Sequence, residues 1–183
     1  MSDGYHHGDL RRTLLTTAAA VIAESGPASL SLRDLARRAG VSHAAPAHHF
    51  RDRRGLLTAL AAEGQHLLAD ALAAAAPGGF DEVAVAYVRF ARTHPGHYAV
   101  MHRPDLVTPD DPGLVAARAA AAEQLAAGVA SLPPRARAGL SDDDARRAAW
   151  ALVHGIATLA AQDATPDADL EAFTRRAARQ LFG

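Results

Sequence analysis

Apolar residues recur along this chain at spacings of three and four, with polar ones between them. Leu10, Leu14, Ala18, Val21 and Ile22 form one such stripe, which predicts a helix from Asp9 to Glu24. Gly26-Pro27 stops it, with a glycine to end the helix and a proline that cannot extend it. Ser31 opens a second, short helix, with Asp34 at capping-box spacing, and that helix closes near Ala39. Beyond Gly40, Ser42 is the expected N-cap of a third helix reaching Phe50. Pro46 falls fourth in it, where its missing amide forfeits only the first intrahelical bond.

The same periodicity predicts helices over 52–76, 81–93 and 95–103. A loop rich in Pro and Asp follows at 104–111. Asp111-Pro112 then reads as the N-cap and first residue of a helix over 112–132. Ser141 and the three Asp after it place acids in the positive first turn of a helix over 142–162. Thr165-Pro166 opens a last one over 167–182. No run of β-branched residues alternates as a strand requires. The expected chain is all-α, with about nine helices in two domains, residues 1–55 and 56–183.

Composition narrows the chemistry. The chain has no cysteine, which excludes disulfides, Cys-ligated zinc, iron–sulfur clusters and thiol catalysis. No stretch approaches the ~18 apolar residues of a membrane span, and the N-terminus lacks the apolar core of a secretory signal. A cytoplasmic protein without membrane contact is expected. All 19 basic residues are arginine, and alanine supplies about a quarter of the chain, which favours helix. The net charge of −1 hides an asymmetry: residues 1–55 carry eight Arg against five acids, the remainder eleven against fifteen. A basic end on an acidic body points to a polyanion-binding module carried by another domain.

The three short helices of the first fifty residues, the last two joined by Ala39-Gly40-Val41-Ser42, have a helix-turn-helix arrangement. Gly40 permits the turn, Val41 wedges between the helices, and Ala36 lets their backbones approach. Leu32, Leu35 and Phe50 close a miniature core. Such a unit offers the exposed face of its second helix to the major groove of double-stranded DNA. Arg37 and Arg38 read as solvated helix surface, and the His6-His7 pair as part of an N-terminal arm.

The run Leu32-Arg33-Asp34-Leu35-Ala36-Arg37-Arg38-Ala39-Gly40-Val41-Ser42, continued by His49-Phe50-Arg51-Asp52-Arg53-Arg54-Gly55-Leu56-Leu57, resembles the DNA-binding signature of tetracycline-repressor-like (TetR/AcrR) regulators. Gly4 to Arg11 matches an arm found in one branch. Phe90 to Met101 and Trp150-Ala151-Leu152-Val153-His154-Gly155 are similar to the effector domain of the branch with a Trp–His–Gly motif. The resemblance implies a homodimer on a near-palindromic operator, released by a small-molecule effector. Carried over, Ser42, His43, Ala44 and His48 face bases, and Ser31, His49 and Arg53 face the phosphate backbone. Members usually have a Tyr where this chain has Ala47, so one phosphate contact is missing.

In the second domain, residues 148–161 are apolar almost all round, so that helix needs cover on two sides. The small residues Ala149, Ala157, Ala160 and Ala161 suit close contact. The last helix, with Leu170, Phe173, Ala177 and Leu181 in register, is the expected neighbour, and the two are expected to form a homodimer interface with their symmetry mates. Tyr87, Phe90, His94, His97, Tyr98, Met101 and His102 form a polar-aromatic cluster suited to an effector pocket, with Trp150 and His154 closing its far wall. Each ring also reads as ordinary core. His94, His97 and His102 offer imidazoles for a metal, but Pro95-Gly96 breaks the helical spacing and no acid completes the set, so neither metal nor cofactor is expected. No phosphate loop, Gly-x-Ser-x-Gly or His-Glu-x-x-His motif marks an enzyme. Two readings remain beside a regulator: a small-molecule binding protein whose DNA module has decayed, and a metal-dependent enzyme.

Overall fold

The computed structural model describes residues 3–137, 139–162 and 169–182, with residues 3–8 as backbone alone. The helices are α1 (Asp3–Ser25), α2 (Leu32–Arg38), α3 (Ala45–Phe50), α4 (Arg53–Ala75), α5 (Phe80–Thr93), α6 (Pro95–Met101), α7 (Pro112–Ala130), α8 (Asp142–Ala161) and α9 (Leu170–Phe182). Short 3-10 segments lie at Pro27–Ser29, Ala76–Gly78 and Pro134–Arg137. The described residues thus hold nine α-helices and no strand, the all-α class that the periodicity predicts. None of these helices is long and apolar enough to cross a membrane.

The helix starts follow the local chemistry. Ser31 accepts from the Asp34 amide at 3.1 Å and Ser141 from the Asp144 amide at 3.1 Å. Asp111 accepts from the Leu114 amide at 3.0 Å, and Asp52 from the Gly55 amide at 2.8 Å.

Two boundaries differ from expectation. α1 begins at Asp3 rather than Asp9, because nothing between the two forbids a helix; only the apolar stripe is missing there. α3 begins at Ala45, with Ala44 and not Ser42 as its N-cap. Pro46 thereby falls in the first turn, where a residue without an amide is at home. The Ala45 amide donates to the Ser42 carbonyl at 3.0 Å in the turn before the helix. The start expected at Thr165-Pro166 and the side chains of His6 and His7 lie outside the described residues.

The chain groups into two compact units, one of Met1–Gly64 with His94–Ala116, the other of Gln65–Thr93 with Ala117–Gly183. In the first, Leu14, Leu15, Ala18, Leu35, Leu56, Leu57, Leu60 and Val100 are buried in one core. α6 packs on α1 so closely that a Cβ at Gly96 would lie 2.0 Å from the Ala19 carbonyl oxygen. The segment 94–116 therefore belongs to the core built by the first helices.

In the second unit α5 is the hub, buried along Val83 to Val88 and at Phe90 and Ala91, with α8 and α9 packed against it. α8 buries Ala145, Ala149, Val153, Ile156 and Ala157 within the chain itself, so Ala149 and Ala157 are not held back for a partner. α9 buries Leu170, Thr174, Ala178 and Phe182. Of the row Leu170, Phe173, Ala177 and Leu181, only Leu170 lies on that face; Phe173 is 45% exposed. A polar residue can take the inner row because the Thr174 hydroxyl donates to the Leu170 carbonyl at 2.7 Å, leaving no buried donor unsatisfied. Outside, Arg89 binds Glu171, Arg175 binds Glu82, and Arg179 binds Asp81, which zips α9 to α5.

Candidate nucleic-acid interface

α2 and α3 meet through a tight turn at Gly40, whose φ of +68° is a conformation that favours glycine. The Val41 amide returns to the Ala36 carbonyl at 3.0 Å, and Ala36 is fully buried beneath the turn. Leu32 and Val41 pack on the core that holds Leu35 and Phe50. At the far end of α3, the Arg51 amide donates to the Ala47 carbonyl at 2.8 Å with Arg51 itself at φ +67°. A Cβ on Gly55 would lie 2.1 Å from the Phe50 carbonyl oxygen, so glycine there lets α4 start directly beneath the end of α3.

This frame buries Pro46 and Phe50 and exposes Ser42, His43, Ala44, Ala47 and His48; His49 is half-buried. The four residues expected to face bases thus share the exposed stretch through the turn and α3, and Ala47 lies on the same open stretch. Ser31, expected at phosphate, is exposed while its oxygen caps α2.

Arg53 does something the sequence does not reveal. Its Nε donates to the Leu30 carbonyl at 3.0 Å and its Nη2 to the Pro27 carbonyl at 2.6 Å, so the first turn of α4 grips the segment between α1 and α2. Arg37 and Arg38 both bind Asp34, which lowers that carboxyl below its ordinary pKa, Arg37 contributing most. They are surface ties. Two further roles escaped sequence reading because they join residues distant in the chain. Arg11 lies over the Phe50 ring, 5.4 Å from its centroid. Arg54 donates to the carbonyls of Asp105, at 3.0 Å, and Val107.

The side chains expected around an effector are divided between the units. In the second, Tyr87 and Phe90 are buried, the Tyr87 hydroxyl is 3.4 Å from His154 Nδ1, and Trp150 stacks on His154 while remaining about half exposed. Burial lowers the pKa of His154. In the first, buried His97 has its Nε2 3.0 Å from Glu63, and the His94 ring meets it edge-on. Tyr98 and His102 form a second edge-on pair. Met101 is buried with its sulfur over Gly64, where a Cβ would come within 2.7 Å of it. Among the described residues no three His, Asp or Glu side chains gather as a metal ion would need.

Comparison with known proteins agrees with this frame. Residues 14–60 match the bacterial regulatory proteins of the tetR family, and residues 80–181 match the tetracyclin repressor-like C-terminal domain. The chain belongs to the TetR family and is a DNA-binding transcription regulator. It is similar over 99% of its length, and 97% of the other chain, to a protein of unknown function from Rhodococcus sp. RHA1, at 37% identity and a TM-score of 0.77. The TetR-like regulator LfrR of Mycobacterium smegmatis, solved with proflavine, is 23% identical over 92% of this chain and 93% of that one, with a TM-score of 0.69. The multidrug binding protein EbrR, solved with imidazole, is 24% identical over 94% of both chains, with a TM-score of 0.62. At those identities the last two bear on the fold. Comparison with curated proteins returns no match.

Proposed function

We propose that this regulator is a cytoplasmic repressor, which binds a palindromic operator as a homodimer and is released by a small molecule. One observation carries the reading: the Gly40 turn and α3 hold Ser42, His43, Ala44 and His48 open to solvent on a helix-turn-helix frame. These four read bases from within the DNA-binding domain, residues 1–55. Ser31 and His49 bind the phosphate backbone; the Ser31 hydroxyl still has a proton to donate while its oxygen caps α2. Arg53 acts mainly by position, holding the α1–α2 connection, with Nη1 as the nitrogen that reaches phosphate.

Within residues 56–183, the second unit, Gln65–Thr93 with Ala117–Gly183, carries the effector and dimer functions. Trp150, Leu159 and Phe173 are 49%, 48% and 45% exposed on α8 and α9, too much apolar surface to leave in water on two neighbouring helices. We place the contact with a second copy at Trp150 and Phe173, with Leu159 exposed on the opposite flank of α8. Tyr87, Phe90, Trp150 and His154 offer the second unit's mixture of apolar rings and polar handles to an effector. The effector acts by its preference for the dimer spacing that does not fit the operator. The proflavine and imidazole complexes of LfrR and EbrR support a small organic ligand.

The test is a gel-shift titration against the DNA upstream of the protein's own gene, across a range of salt. A regulator binds with a steep negative salt slope, because each phosphate contact releases counterions. No binding at low salt would instead favour a small-molecule binding protein with a decayed DNA module.

A further inference from the structure

The first unit contains a cleft of about 500 Å³ that the proposed DNA and effector residues leave almost untouched; of them only His49 lines it. Its volume is in the range of small-molecule sites. The apolar part is Phe50, Ala59 and Ala62, and the basic part is Arg11, Arg51 and Arg54.

The walls are fixed before any ligand arrives. Arg54 binds the carbonyls of Asp105 and Val107, and the Thr58 hydroxyl accepts from the Thr108 amide at 2.9 Å, so α4 and the loop after α6 are tied together. A preformed wall spares a ligand the cost of ordering it. The two acids in the lining, Asp52 and Asp111, are each engaged as helix N-caps. Arg11 and Arg51, by contrast, form no ion pair with any described residue; Arg11 rests over the Phe50 ring, and the Arg51 side chain is exposed.

We propose that this cleft binds a small organic anion, a carboxylate on an apolar body. The head lies between the guanidiniums of Arg51 and Arg11, and the body lies on Phe50, Ala59 and Ala62. A guanidinium fork suits a carboxylate, and an apolar floor adds affinity that a bare inorganic ion cannot use. The site does not depend on the chain binding DNA, so its test is separate from the gel shift.

The experiment is amide NMR of the full chain titrated with benzoate, benzamide and inorganic phosphate. Benzoate should shift the amides of Gly55, Thr58 and Thr108 saturably, with millimolar affinity, and neutral benzamide should bind about tenfold more weakly, as expected for the loss of a charge-assisted bond. Arg51→Gln, which alters an exposed side chain, should cost about tenfold for benzoate and leave benzamide unchanged. Ala59→Leu should weaken both by filling the floor. Equal binding of benzoate and benzamide would overturn the proposal, as would an unaltered benzoate titration in Arg51→Gln. Phosphate binding as tightly as benzoate would also overturn it, revealing a bare anion contact of the kind DNA phosphates make.

Discussion

The indole of Trp150 lies almost flat on the imidazole of His154, with ring centroids 5.1 Å apart and planes 16° from parallel. Burial disfavours the imidazolium and holds the pKa of His154 below its ordinary value. As pH falls, an unfolded chain takes up this proton first. The contribution to stability is therefore complete above about 6.5 and is lost as pH drops toward the folded value. Trp150 is the only tryptophan, so its fluorescence reports on this ring. Quenching by protonated His154 should have its midpoint below about 6.5 and should vanish in His154→Gln. A midpoint at or above the ordinary value would contradict the burial argument.

Gly40 and Gly96 are both indispensable, for different reasons, and alanine separates them. At Gly40 an added Cβ meets nothing within 4 Å, so Gly40→Ala costs only the left-handed backbone, about 1–2 kcal/mol. At Gly96 the Cβ would lie 2.0 Å from the Ala19 carbonyl oxygen, which is backbone and cannot swing aside. Gly96→Ala should cost about 3 kcal/mol or more by chemical denaturation. The reverse order would mean that α6 does not seat on α1 as described.

A tyrosine hydroxyl at position 47, which the family resemblance leads one to expect, should strengthen DNA binding. Ala47 is exposed on α3. Ala47→Tyr should add one phosphate hydrogen bond, worth about 1 kcal/mol or about fivefold in affinity, with little change in thermal stability. Titration of the variant and the parent against one operator, at one salt concentration, decides it.

The links between α5 and α9 should make the second unit acid-sensitive. Glu82 is held below its ordinary pKa chiefly by its hydrogen bond to Arg175, and Glu171 chiefly by its bond to Arg89. A depressed carboxyl stabilises the fold above its unfolded value and loses that effect as pH falls through the folded one. Both groups are partly exposed, so the effect is modest and weakened by salt. Melting temperature should fall on acidification below about pH 4.5, and less steeply in the double variant Glu82→Gln, Glu171→Gln. Parallel curves for variant and parent would show that these pairs contribute nothing.

Charge placed at Trp150 and Phe173, the proposed dimer contact, should separate the two copies. Trp150→Glu with Phe173→Glu alters side chains that are about half exposed within the chain, so each protomer should still fold. Light scattering should then report a monomer, and operator affinity should fall about a hundredfold as the two half-sites lose their linkage. A double variant that stays dimeric would move the interface away from α8 and α9.

What could be read in the sequence is what neighbouring residues decide among themselves. Ser31, Ser141 and Asp111 announce helix starts because the amides they cap lie three positions on. Gly40 announces the turn because few other residues accept its φ. Ser42 misled for the same local reason: as a good N-cap it competed with Pro46, whose missing amide moved the start of α3 to Ala45. The grip of Arg53 on the α1–α2 connection was not legible because its carbonyl partners are 23 and 26 residues away. Nothing local pairs Glu171 and Asp81 with their arginines, which are 82 and 98 residues distant. The aromatic cluster read as one group along the helices, but the packing of α6 on α1 assigns His94 to His102 to a different unit from Tyr87 and Phe90.

The seating of α6 on α1 has a consequence for engineering. A graft that moves only the first 64 residues onto another body leaves behind Val100, Val107 and Leu114, which complete the hydrophobic interior of the transplanted piece. Chimeras that exchange specificity must therefore carry two separate stretches of sequence, the second being 94–116. A single cut would yield a head with an open flank.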